Sequence, residues 1–262
     1  MPPPSLSACA EIVRRHDPDR FLTALFAPSE RRETLFILYA VNHELARARE
    51  VVSNPMLALI RLQWWREVAE GARRRHEVAG PLGEALDEGR LLAADLLDMI
   101  EGREAEADEI EDLPAFETYL RAAYGGVAVA AGRVLLADST ALDALRGVGA
   151  AYGMAGILRS VEAMARQGRC VLPTGMLASA GLTVAEVIAN PCDARLAPIL
   201  RRLADHGLGW LPEGKGAFPR TAAAAWLLAV LARRDLRRSP NRSERGLADR
   251  ATLIAAAAIC RV

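Results

Sequence analysis

Apolar residues recur along this chain at steps of three and four, and the strict alternation of a half-buried strand is nearly absent. Between breakers, segments dominated by Ala, Leu, Arg and Glu predict helices. They run from about Pro28 to Val52, Pro55 to Gly71, Pro81 to Gly102, Pro114 to Ala137, Thr140 to Arg166, Pro173 to Ala180, Thr183 to Asn190, Ala194 to His206 and Pro219 to Arg234. Pro28 and Pro55 suit helix starts, where a missing N–H costs nothing. Leu211 to Pro219 reads as a loop, and Arg237 to Gly246 as a charged link to a short last helix. With no repeat and no domain linker, the pattern predicts one all-α domain over residues 1–262.

Two helices carry a second row beside their core stripe. On the first, Leu35, Leu38, Leu45 and Val52 form an ordinary core face, while Tyr39, His43, Ala46 and Glu50 follow at spacing 4-3-4. On the later helix the comparable row is Gly149, Gly153, Gly156, Ser160 and Met164. Three helical glycines cost roughly 1 kcal/mol each against alanine, which calls for close helix contact or for open volume beside a ligand. The acidic segment Glu101 to Asp112 has pairs such as Glu104/Asp108 that could meet a cation, but no apolar stripe buries them. It reads as a solvated helix end.

Composition narrows the classes. The 33 basic and 33 acidic residues cancel, so nothing points to nucleic acid, and Lys215 is the only lysine. Four scattered cysteines without a C-x-x-C pair exclude a zinc site or disulfide framework and fit reduced thiols in the cytoplasm. No signal-peptide layout and no apolar run long enough to span a bilayer is present, which leaves peripheral membrane contact open.

The blocks ERRETLFILYAVNHELARAREVV (Glu30 to Val52), LIRLQWWREVAEG (Leu59 to Gly71) and GMAGILRSVEAMARQGRCVLPTGMLASAGL (Gly153 to Leu182) resemble the squalene/phytoene synthase family. The resemblance implies an isoprenoid-synthase fold, antiparallel helices around a central apolar cavity. Active members join two prenyl diphosphates head to head, with magnesium held by two aspartate-rich motifs. Carboxylates bridge the ions that neutralise the departing diphosphate. Here the first motif's positions hold Ala46, Arg47 and Glu50, and the second motif's hold Ser160 and Met164. The family's arginine before the first motif corresponds to His43, and its pocket glutamine and asparagine to Gly153 and Gly156. Tyr39, Arg159, Gly168, Arg169, Leu172 and Pro173 match the family.

NHELARAREVVS followed by RLQWWREVAEG is similar to a divergent branch, the phytoene-synthase-like assembly factors of mitochondrial respiratory complex I and their bacterial relatives. That branch implies a protein without catalytic residues, metal or cofactor, which binds an isoprenoid or other lipid or contacts a protein partner in assembly. The alternative is an active prenyl transferase with magnesium on substitute ligands such as Glu50 and Glu162. A pure interaction protein predicts side chains filling the space beside Gly153 and Gly156; an open pocket of several hundred Å³ would count against it.

The remaining candidates keep two readings each. Arg47, Arg159 and Arg169 could bind an anion, or could be ion-paired, Arg159 and Arg169 with Glu162. Trp64 and Trp65 point about 100° apart, so one faces the core while the other borders the cavity or a neighbouring helix.

Overall fold

The computed structural model describes residues 6–52, 54–212, 222–238 and 247–261, the side chains of 247, 248, 250 and 258–261 excepted. Its helices are α1 (Ala8–His16), α2 (Pro18–Ala24), α3 (Ser29–Glu50), α4 (Pro55–Ala69), α5 (Ala79–Asp87), α6 (Ala93–Glu104), α7 (Leu113–Leu120), α8 (Gly126–Val134), α9 (Ser139–Arg166), α10 (Thr174–Ser179), α11 (Val184–Ala189), α12 (Leu196–Leu208), α13 (Ala223–Arg237) and α14 (Leu247–Arg261). No strand occurs among the described residues.

Local chemistry fixes many of the ends. Asp112 and Asp138 cap α7 and α9, accepting from Ala115 N and Ala141 N at 2.8 Å each. Thr183 and Glu186 form a reciprocal capping box on α11. The predicted helix from Pro81 to Gly102 is two helices, α5 and α6, because Gly89 adopts φ +66° and turns the chain between them. The predicted helix from Pro114 to Ala137 is interrupted by a π turn at Arg121–Gly125. α1 and α2 precede the first predicted helix and were not anticipated. The last helix is longer than expected. Residues 213–219 of the predicted loop and 239–246 of the predicted link lie outside the described residues.

α9 is the axis of the bundle. It packs on α7, α8, α11, α12, α13 and the π turn, while α3 packs on α1, α4, α5 and α8. Leu35, Leu38 and Leu45 are fully buried, as their stripe predicts, and join one core with Met99, Phe116, Leu145 and Leu158, whereas Val52, the last residue of that stripe, lies past the end of α3 and is half-buried. Trp65 enters this core while Trp64 stays half-buried, and the two rings meet edge to face at 4.9 Å. Buried Asp249 fastens α14 by taking Arg234 of α13 and Arg238 just past its end, each at 2.8 Å.

The glycines of α9 divide. A Cβ at Gly149 would lie 2.5 Å from the Tyr124 carbonyl oxygen, whereas one at Gly156 would meet nothing within 4 Å. Gly149→Ala is therefore expected to destabilise by about 1–3 kcal/mol through overpacking. Gly156→Ala is expected to stabilise by up to about 1 kcal/mol. Thermal unfolding of the two variants checks the opposite signs, each kcal/mol moving Tm by about 2–4 °C.

Candidate functional site

The α3 row begins deep in the bundle and ends at its rim. Tyr39 is 1% exposed, and its hydroxyl has no hydrogen-bond partner among the described residues. Buried Arg20 of α2 lies over this ring at 5.6 Å and over Tyr152 at 4.9 Å, and pairs with Asp17 at 2.6 Å. One turn on, half-buried His43 stacks on His16 of α1 at 4.3 Å. Burial, and then the neighbouring His16, hold the His43 imidazole below its ordinary pKa. Ala46 and Arg47 are half-buried, Arg47 pairing with buried Glu44 at 3.2 Å. Glu50 stands at the rim; desolvation on its protein side raises its carboxyl pKa, against the pull of Arg169 and Arg103.

The α9 row is closed at one end and open at the other. The Tyr124 ring fills the space beside Gly153, where an added Cβ would sit 2.4 Å away. Gly156 faces open space, and Ser160 and Met164 are half-buried beyond it. Close packing therefore accounts for Gly149 and Gly153 but not for Gly156. Tyr124 reaches Gly153 from the π turn, whose extra residue re-aims a side chain inside an otherwise helical run.

Between the two rows stands a buried network that the sequence reading missed. Glu106, in the short 3₁₀ turn Ala105–Ala107, accepts from Arg103 at 2.7 Å, Arg169 at 2.6 Å and the Tyr119 hydroxyl at 2.9 Å. Arg103 also reaches the Tyr124 hydroxyl at 3.2 Å, lies 4.4 Å from that ring and approaches Asn42 of α3 at 3.5 Å. Arg49 of α3 donates to the Glu106 carbonyl at 3.3 Å. Burial lifts the Tyr119 phenol well above its ordinary pKa, so it stays a neutral donor. The expectation of a solvated acidic segment holds for Glu101, Asp108, Glu109, Glu111 and Asp112, which are exposed, and is corrected at Arg103 and Glu106, 5% and 8% exposed. The available signals were the Arg103/Glu106 step of three and Gly102, where a Cβ would come within 2.5 Å of Ala123 N.

The candidate anion ligands are all ion-paired, and none of them with Glu162. Arg169 pairs with Glu106, and Arg159 with Asp235 at 3.2 Å. Glu162 instead accepts from the Cys192 thiol at 3.6 Å. At about 100° per residue it lies on the far side of α9 from Ser160 and Met164. Against that far side, α9, α12 and α13 enclose a cavity of about 530 Å³ lined in part by Leu158, Arg159, Leu200 and Leu236. It includes none of the eight candidate pocket residues.

A magnesium cluster does not fit these residues. Of the five positions where the resemblance places the metal motifs, only Glu50 offers a carboxylate, two guanidinium groups lie near the same end, and Glu162 accepts from Cys192 on the other side of α9. No group of three or more His, Cys, Asp or Glu able to hold a metal occurs among the described residues.

The helical architecture is that of the isoprenoid synthases. A ligand-bound dehydrosqualene synthase superposes with TM-score 0.73 at 15% identity, over 97% of this chain and 95% of that one. The squalene synthase HpnC of Alicyclobacillus acidocaldarius superposes with TM-score 0.66 at 16% identity, over 87% and 90%. Residues 13–255 match the squalene/phytoene synthase family, and the chain belongs to it. Among its relatives is NADH dehydrogenase (ubiquinone) complex I, assembly factor 6. The rat protein is 25% identical over 86% of this chain, and the human one 24% over 76%. The chain spans 69% of the rat protein's length and 62% of the human one's.

Two outcomes follow. Glu106→Gln leaves two buried guanidinium groups without their countercharge and is expected to cost about 3–5 kcal/mol, read by denaturant unfolding. His43 prefers its neutral form when folded, so the stability it contributes is complete above the unfolded value near 6.5 and is lost as pH falls below it. Unfolding free energies measured from pH 8 to 5 should fall less steeply in His43→Gln than in the parent.

Proposed function

We propose that this chain is a non-catalytic family member that works through protein contact, in the assembly of a respiratory NADH dehydrogenase. One observation carries the loss of catalysis: the motif positions hold Ala46, Arg47, Glu50, Ser160 and Met164, beside a network in which two guanidinium groups share one carboxylate. Prenyl transfer needs several anionic oxygens to hold the ions that draw off diphosphate. Positive side chains at that place repel the ions instead. The assembly role rests on the names of the curated relatives. A retained isoprenoid or other lipid ligand is a second reading, supported by the open space beside Gly156.

With magnesium and farnesyl or geranylgeranyl diphosphate, the protein is expected to release no pyrophosphate above a protein-free control. Turnover that Glu50→Gln abolishes would refute the non-catalytic reading. Deleting the gene in its own host should lower assembled NADH dehydrogenase while leaving isoprenoid products unchanged, and the reverse pattern would contradict the assembly role.

A further inference from the structure

Nine large apolar side chains are exposed among the described residues, and four of them, Val51, Met56, Leu57 and Ile60, fall within ten positions. They cover the corner where α3 ends and α4 begins. Met56 and Ile60 are 61% and 60% exposed and lie one turn apart on the outward face of α4. Clustering of this kind marks a contact surface, whereas single exposed apolar residues do not. Asn54 caps α4 at this corner by accepting from Met56 N at 2.9 Å, and Arg49 donates to the Val52 carbonyl at 2.9 Å.

The surrounding charge identifies the occupant. Arg47, Arg49 and Arg61 flank the patch, against Glu50 and the Glu44 that pairs with Arg47, which leaves the corner one positive charge in excess and Arg61 as its outermost cation. Arg61 is exposed beside Ile60, and the Arg47 side chain is 43% exposed. Half-buried Trp64 follows one turn after Ile60. A convex corner of flexible aliphatic side chains, edged by arginines and a tryptophan, has the chemistry of an interfacial anchor. Protein interfaces concentrate aromatic anchors at their centre, which this corner lacks. We propose that the α3–α4 corner docks the protein on an anionic lipid surface, with Val51, Met56, Leu57 and Ile60 in the headgroup–acyl boundary and Arg61 on lipid phosphates. The inference is independent of the assembly reading. Docking would set the rim at Glu50, and with it the end of the Glu106 network, against the lipid.

Flotation of the full chain with vesicles of phosphatidylcholine, alone or mixed with phosphatidylglycerol, tests it. Binding is expected only with phosphatidylglycerol. Met56→Ser/Leu57→Ser/Ile60→Ser should reduce it to background, and Arg61→Glu should weaken it at least about fivefold while leaving the thermal transition in place. No flotation with either vesicle, flotation indifferent to phosphatidylglycerol, or a serine variant that floats like the parent each overturns the proposal. A parent dimer that the serine variant converts to monomer overturns it too, by giving the corner to a second copy.

Discussion

One carboxylate held between two guanidinium groups is the constraint around which the candidate site is arranged. Glu106 takes Arg103 at 2.7 Å and Arg169 at 2.6 Å where all three side chains are nearly excluded from water. Taking such charges out of water costs several kcal/mol each, and only close contact with saturated hydrogen bonding offsets it. Tyr119 and Tyr124 supply part of that saturation. The network also ties together segments far apart in sequence: the end of α6, the turn after it, the exit of α9 and, through Asn42 and Arg49, the second half of α3.

That electrostatic choice and the packing around it reinforce each other. The π turn brings Tyr124 over Gly153 and under Arg103, so a glycine on α9 and a buried guanidinium are held by the same ring. Past this plug the row opens again at Gly156. Around this opening stand the Arg103–Glu106–Arg169 network, Arg47 paired with Glu44, and Glu50 at the rim. A divalent ion needs converging hard oxygens, and this end of the molecule offers mainly donors.

Much of the helical plan was legible in the sequence because it rests on local periodicity. The stripe Leu35, Leu38 and Leu45 is as buried as its spacing implies, and α9 begins and ends within one residue of the expected span. The failures share a cause: they depend on contacts between distant segments. Glu106 sits in an acidic run without an apolar stripe, and its burial depends on Arg169, 63 positions away, together with Arg103 and Tyr119. Gly89 broke a predicted helix through its backbone conformation, and α1 gains its place by lying on α3. The candidate row on α9 was legible as unusual but not as two things at once, packing at Gly149 and Gly153 and space at Gly156.

Too few carboxylates face one another across α3 and α9 among the described residues for a metal cluster to assemble beside the Glu106 network. Crystals soaked with magnesium and a non-hydrolysable farnesyl diphosphate analogue test it directly. The Arg103–Glu106–Arg169 contacts should stay intact, with no ordered ion between Glu50 and Ser160. Two or more well-ordered metals there, bridged to the diphosphate, would contradict it.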